Sequence, residues 1–112
     1  MKWDLTTKQD GEWTDYHLAR DGSEVARAKW RLVNGCAELH NWAGSSAKSV
    51  LIKTREILRQ VIVPDIKSVG ATRIFVADLT ANVDELRVKY WRFMGFSFGG
   101  EIAGYSYGVM EV

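Results

Sequence analysis

The sequence predicts an α+β (mixed α/β) domain: an antiparallel strand meander followed by a β-α-β-α-β unit, with a central mixed sheet and two main helices. Two observations carry this. Apolar residues recur with a period of two up to Trp42 and then switch to helical spacing. Polar turns of the Asp-Gly and Asn-Gly type cut the first part into hairpins. With 112 residues the chain has length for one domain, residues 1–112, and no room for a second.

The elements follow in order. Lys2–Thr7 and Glu12–Arg20 read as strands flanking a polar turn at Lys8-Gln9-Asp10-Gly11. Asp21-Gly22-Ser23 leads into Glu24–Val33, where Ala26, Ala28, Trp30 and Leu32 alternate with Arg27, Lys29 and Arg31. Asn34-Gly35 is a hairpin signal, because both central residues of a type I′ turn need positive φ. Cys36–Trp42 completes a four-stranded meander. Ala43-Gly44-Ser45-Ser46 is then a small-residue loop in which either serine is suited to cap a helix.

Ala47, Val50, Leu51, Leu58, Val61 and Ile62 recur at helical spacing, and Pro64 is expected to kink or interrupt that helix. Gly70 is its stop signal. The apolar run in Thr72–Asp78 predicts a strand covered on both faces. Asn82 is placed to cap a second helix, with Glu85 at the capping-box position and a stripe of Val83, Leu86, Tyr90 and Phe93. Gly95 ends it, and Phe96–Phe98 with Tyr105–Val112 make a closing hairpin in which Gly99-Gly100 and Gly104 mark turns or bulges. The connection from Cys36–Trp42 to Thr72–Asp78 should be a right-handed crossover between parallel strands.

Composition excludes several classes of function. An apolar fraction of 46% and a net charge of +1 are not those of a disordered chain. The lone Cys36 cannot form an intrachain disulfide, which suits a reducing compartment. Met1-Lys2-Trp3-Asp4 carries no signal-peptide run and apolar stretches such as Val61-Ile62-Val63 are far too short to span a membrane, so a cytoplasmic protein without a membrane partner is expected. Two His and one Cys do not make a metal constellation.

Charge is uneven. Residues 1–46 carry a net −1, residues 47–73 a net +4 and residues 74–112 a net −2. The basic central third suits an anionic partner, or else is a solvated helix face. Arg27, Lys29 and Arg31 share one strand face, and Arg55 and Arg59 one helix face. A net charge of +1 and the lack of a binding motif nevertheless disfavour nucleic acid.

That order of elements, with Arg92-Phe93-Met94-Gly95-Phe96, resembles the GNAT acyltransferase superfamily. In that family a meander feeds a helix that binds acyl-coenzyme A, then a strand, a second helix, a Gly-Phe pair and a final strand. The family's coenzyme signature, Q/R-x-x-G-x-G/A, falls here on Asn41-Trp42-Ala43-Gly44-Ser45-Ser46, with Asn41 for the Gln/Arg and Ser46 for the second Gly. Backbone N–H groups at a helix start attract phosphate, and Lys48 and Lys53 would add charge. The resemblance thus implies acetyl-CoA as cofactor, held by Asn41, Trp42, Gly44, Ser45, Ser46 and Lys48, with Trp42 or Trp91 lining the pantetheine channel.

The family's general acid is a tyrosine four residues before the Gly of Gly-Phe. Trp91 stands there, and Tyr90 is the adjacent hydroxyl, turned about 100° around the helix. The proton acceptor for an attacking amine would be Glu38 or His40, two apart and so on one face of their strand, with Asp78 less favoured. Cys36 shares that face and reads as a packed thiol.

The family's usual helices between the first two strands are missing, which leaves the acceptor side open to a protein-sized amine. The expected function is acyl transfer from acetyl-CoA to an amine. The alternative is a catalytically inactive module, similar to the small reduced GNAT-like proteins of tailed bacteriophages and acting in virion assembly or host interaction. Its partners would then be protein, with a homo-oligomer an open case, in the host cytoplasm or the virion. Five Trp would suit such an interface.

Overall fold

The computed structural model describes residues 2–43, 47–78, 85–102 and 105–112. The elements in order are β1 (Trp3–Asp10), β2 (Trp13–Arg20), β3 (Ser23–Val33), β4 (Cys36–Ala43), α1 (Lys48–Ile57), a π turn (Leu58–Ile62), α2 (Val63–Ser68), β5 (Arg73–Asp78), α3 (Glu85–Met94), β6 (Ser97–Ile102) and β7 (Tyr105–Glu111). The strands form one seven-stranded sheet in the order β1-β2-β3-β4-β5-β7-β6. Every neighbour pair is antiparallel except β4 and β5.

Tight turns build the meander. Asp21 (φ 51°) with Gly22 (φ 85°), and Asn34 (φ 51°) with Gly35 (φ 79°), occupy left-handed backbone conformations, as two-residue hairpins require. The first turn is tighter than the sequence suggested. Lys8, Gln9 and Asp10 all pair with β2, and Asp10 sits opposite Trp13 across the two-residue turn Gly11-Glu12.

Alternation divides the sheet into two unlike faces. Tyr16, Leu18, Ala26, Ala28, Trp30, Ala37, Leu39, Ile74 and Val76 are buried on one face, beneath Ile57, Leu58, Ile62, Ile66 and Met94 of the helical layer. The opposite face carries Asp15, His17, Arg27, Lys29, Arg31, Glu38 and His40, and no described helix packs on it. The expectation that β5 is covered on both faces is therefore corrected. Ile74 and Val76 are sealed, but Phe75 is only half-buried, because no described helix lies over the second face. A thickness of 21 Å fits one sheet and one helical layer.

Pro64 does not interrupt the first helix. Just ahead of it the helix widens into the π turn, with the Val63 N–H bonded to the Leu58 carbonyl, and then continues as α2. The widened turn accommodates a ring that would clash with the carbonyl four residues back. The helix-capping expectation is also corrected. Ala47 occupies the N-cap of α1 and makes no side-chain capping bond; Ser45 and Ser46 lie outside the described residues, as do Asn82, Val83 and Gly104. At the other end of the fold, Gly95 (φ 106°) closes α3 with Phe96 N–H to Trp91 C=O (2.9 Å) and Gly95 N–H to Arg92 C=O (3.0 Å), a Schellman cap. Gly99-Gly100 lies inside β6, where the register shifts between Phe98 and Gly100, so it is a bulge and not a turn.

Candidate active site

The sheet comes apart at its one parallel seam. β4 and β5 pair only at Ala37–Ile74 and Glu38–Phe75, and beyond Glu38 the two strands share no ladder. The opening thus lies at the carboxyl ends of two parallel strands, where open α/β sheets take their ligands. β4 runs from it toward α1 and β5 toward α3.

On the helical side, α1 and α3 flank a groove of about 460 Å³ lined by Lys48, Leu51, Ile52, Arg55, Lys89, Tyr90 and Phe93. The Arg55 guanidinium lies over the Phe93 ring, 4.2 Å from its centroid. Three cations therefore surround an apolar floor. This donor set fits a ligand that carries both phosphates and an apolar body, such as coenzyme A. Of the residues predicted to hold it, Lys48 is in the groove. Asn41 and Trp42 belong to β4, in register with Ala28 and Arg27. Gly44, Ser45 and Ser46 lie outside the described residues.

Lys53 is not in the groove. It turns to the other flank of α1, 3.5 Å from Glu56 and 6.0 Å from the Trp3 ring. Helix geometry explains this. Five residues rotate a side chain about 140° away from Lys48, whereas seven return it to within about 20°. Arg55 therefore shares the Lys48 face, and that spacing was the signal by which sequence reasoning should have preferred it. Lys89 and Phe93, four apart on α3, were equally legible as one face once α3 was known to oppose α1.

Tyr90 and Trp91 part ways as their helical offset requires. Tyr90 lines the groove, while Trp91 packs edge-on against Tyr90 (centroids 5.1 Å apart) and Phe96 (5.2 Å) and joins the core. The groove lining among the described residues contains Tyr90 and not Trp91.

On the opposite face Glu38 and His40 do come together, with His40 Nε2 3.7 Å from Glu38 Oε2. Arg31 holds Glu38 through Nε at 2.6 Å and reaches Glu12 with Nη1 at 2.5 Å. His40 stands edge-on to Trp13 at 5.3 Å, and Lys29 and Arg31 cover that indole at 4.5 and 4.7 Å. The row Arg27, Lys29, Arg31 is consequently not a bare basic strip. Arg27 forks onto the buried Asp15 at 2.7 and 3.2 Å, and its hydrogen bonds hold the Asp15 carboxyl below the usual carboxylate range. His17 joins this cluster between Asp15 and Glu24. Cys36 is a half-buried free thiol opposite Val33, and Asp78 ends β5 opposite Ser106.

No protein-family model matches the chain, and no curated protein sequence does. Solved structures do. The N-acetyltransferase PseH of Campylobacter jejuni in complex with acetyl coenzyme A superposes with a TM-score of 0.64 at 13% identity, over 92% of this chain and 70% of that one. PaiA N-acetyltransferase from Thermoplasma acidophilum in complex with coenzyme A gives 0.71 at 10% identity, over 90% and 62%. IAA acetyltransferase from Bacillus cereus gives 0.69 at 15%, over 90% and 79%. The chain thus shares its fold with these acetyltransferases and with the GNAT domain of S. lividans PAT.

Proposed function

We propose that the chain is an acyl-coenzyme A-dependent N-acyltransferase. The observation that carries this reading is the groove between α1 and α3, which Lys48, Arg55 and Lys89 line together with apolar side chains. The three cations would hold the coenzyme's phosphates, and Leu51, Ile52 and Phe93 its apolar parts. Backbone at the N-terminus of α1, at Lys48, would add N–H donors. When bound, the coenzyme supplies an activated acyl thioester.

The chain's own residues then divide the remaining work between the two faces of the sheet. His40 lies just past the last paired residue of β4 on the face away from the helices, so it meets an acceptor arriving from the open side. It is the better proton acceptor of the candidate pair, because Arg31 already neutralises Glu38. Glu38 orients His40 from 3.7 Å. Tyr90, on the groove side, is the hydroxyl able to return a proton to the departing thiolate. The edge of β4 that faces the opening offers N–H groups to a developing oxyanion. The turn Gly11-Glu12 joins β1 directly to β2, so no helix covers the acceptor side there and a protein-sized amine has access.

A second reading is a non-catalytic module of the kind found among tailed-bacteriophage proteins, acting in assembly or host interaction in the host cytoplasm or the virion. It is favoured by the ion pair that occupies Glu38 and by Trp91 at the proton-donor position. Calorimetric titration with acetyl-CoA and with free CoA decides between the two. Micromolar binding that weakens about tenfold or more in Arg55→Glu supports the enzyme. No heat at millimolar coenzyme refutes it.

A further inference from the structure

Among the described residues no strand pairs with the outer edge of β1. β1 is the first strand of the sheet and pairs on one side only, with β2. Thr6, Thr7, Lys8, Gln9 and Asp10 are exposed in succession, and β1 contains no proline to blunt the edge. An exposed, regular edge is a template for another strand unless something blocks it. Among the described residues no ion pair takes up Asp4, Lys8 or Asp10.

Backbone direction follows from the turn. Asp10 and Trp13 flank a two-residue hairpin loop and so form a hydrogen-bonded pair, and the Asp21 N–H donates to the Lys2 carbonyl at the other end. Even-numbered residues therefore bond inward to β2, and Trp3, Leu5, Thr7 and Gln9 direct their N–H and C=O groups outward. Even-numbered side chains lie on the sheet face away from the helices, since Leu5, opposite the buried Leu18, packs on the core.

We infer that β1 pairs with β1 of a second copy, antiparallel about a two-fold axis through Thr6. In that register Lys8 stands opposite Asp4 of the second copy, Asp10 opposite Lys2, Leu5 opposite Thr7 and Trp3 opposite Gln9. Each pairing occurs twice by symmetry. All four charged side chains share one face, and Thr6, Asp4 and Lys8 fall at non-hydrogen-bonded positions, where facing side chains approach most closely. The neighbouring registers that preserve the faces are disfavoured by like charges. Centring on Leu5 sets Lys8 against Lys2, and centring on Thr7 sets Asp10 against Asp4. The charge pattern of β1 is self-complementary in one alignment only. The product is a continuous sheet across two copies, with four strands between the join and the β4–β5 opening of each.

Sedimentation velocity over a range of protein concentrations, combined with charge reversal, tests this. The wild type is expected to dimerise reversibly. Lys8→Glu should weaken the dimer roughly tenfold, and Lys8→Glu with Asp4→Lys should restore it. Thr7→Pro, which removes an outward N–H and no bond to β2, should also abolish the dimer. In a Cys36→Ser background, Thr6→Cys should cross-link under mild oxidant, because facing Cα atoms at such a pair are about 4.5 Å apart. Four outcomes overturn the proposal: a monomer at every concentration, a dimer indifferent to Lys8→Glu, failure of the double reversal to restore it, or absence of the Thr6→Cys cross-link.

Discussion

Tyr16 is the residue whose removal should cost the fold most for the fewest atoms. Its hydroxyl accepts from the Trp30 indole N–H at 2.9 Å and donates to Asp65 Oδ2 at 2.8 Å, on a side chain that is 2% exposed. That pair of bonds ties the centre of the meander to α2, just beyond the π turn. Tyr16→Phe deletes one neutral bond, of about 1 kcal/mol, and one bond to a charged group, of about 1.5–3 kcal/mol. It also strands the Trp30 N–H in the core. Partial relaxation offsets some of this, so a loss of roughly 2–4 kcal/mol is expected, with a melting midpoint lower by about 10–20 °C. Urea unfolding of Tyr16→Phe, Asp65→Asn and the double variant gives the coupling between the two groups. A loss below about 0.5 kcal/mol, or additive single effects, would refute the argument that these bonds latch the helix layer to the sheet.

The same tyrosine predicts alkaline behaviour. Burial first, and the Asp65 carboxylate after it, push the Tyr16 phenol well above its ordinary value of 10.0. The unfolded chain therefore ionises this group while the folded chain does not, and stability should fall as pH rises past 10, a slope that Tyr16→Phe removes. At the acid end the sign reverses. The Asp15 carboxyl is held below 3.8 chiefly by its hydrogen bonds to Arg27, so its contribution is present above about pH 4 and disappears as pH falls through the folded value. Denaturation of Asp15→Asn should accordingly depend less on pH in that window. If the proposed chemistry is right, His40→Gln lowers kcat by roughly 10²–10⁴ with little change in the KM for acetyl-CoA, whereas an unchanged kcat would remove His40 from the reaction. Gly95→Ala should destabilise by about 1–2 kcal/mol in thermal melts, since Gly95 has φ 106° and a Cβ there would stand 3.0 Å from Met110 Cε.

Function in this chain depends on what each sheet face is left to do. The helical face is spent mostly on burial, and between α1 and α3 a groove lined by Lys48, Arg55 and Lys89 with apolar side chains remains. No described helix covers the other face, and charged residues occupy it and neutralise one another in pairs. His40 lies at the boundary of that network, beside the opening.

Local chemistry alone determined the meander, the Asn34-Gly35 turn, the Gly70 and Gly95 stops and the order of strands and helices. Period-two alternation, positive-φ turns and left-handed caps are properties of a few consecutive residues, and they read the same in the sequence as in the fold. The fate of Pro64 was not local. Whether a helix kinks or widens before a proline depends on what the widened turn gains, and here it keeps Leu58, Ile62 and Ile66 pointed into one core. The extent of burial on β5 depended on which sheet face the described helices cover, which no residue of β5 reports. The site divided in the same way. The Glu38–His40 pairing follows from strand parity, and the separation of Tyr90 from Trp91 from helical rotation. That Arg31 takes up Glu38 was settled by the register of the β3–β4 hairpin, and that Lys89 of α3 joins Lys48 and Arg55 of α1 by helix apposition, which brings together groups dozens of residues apart.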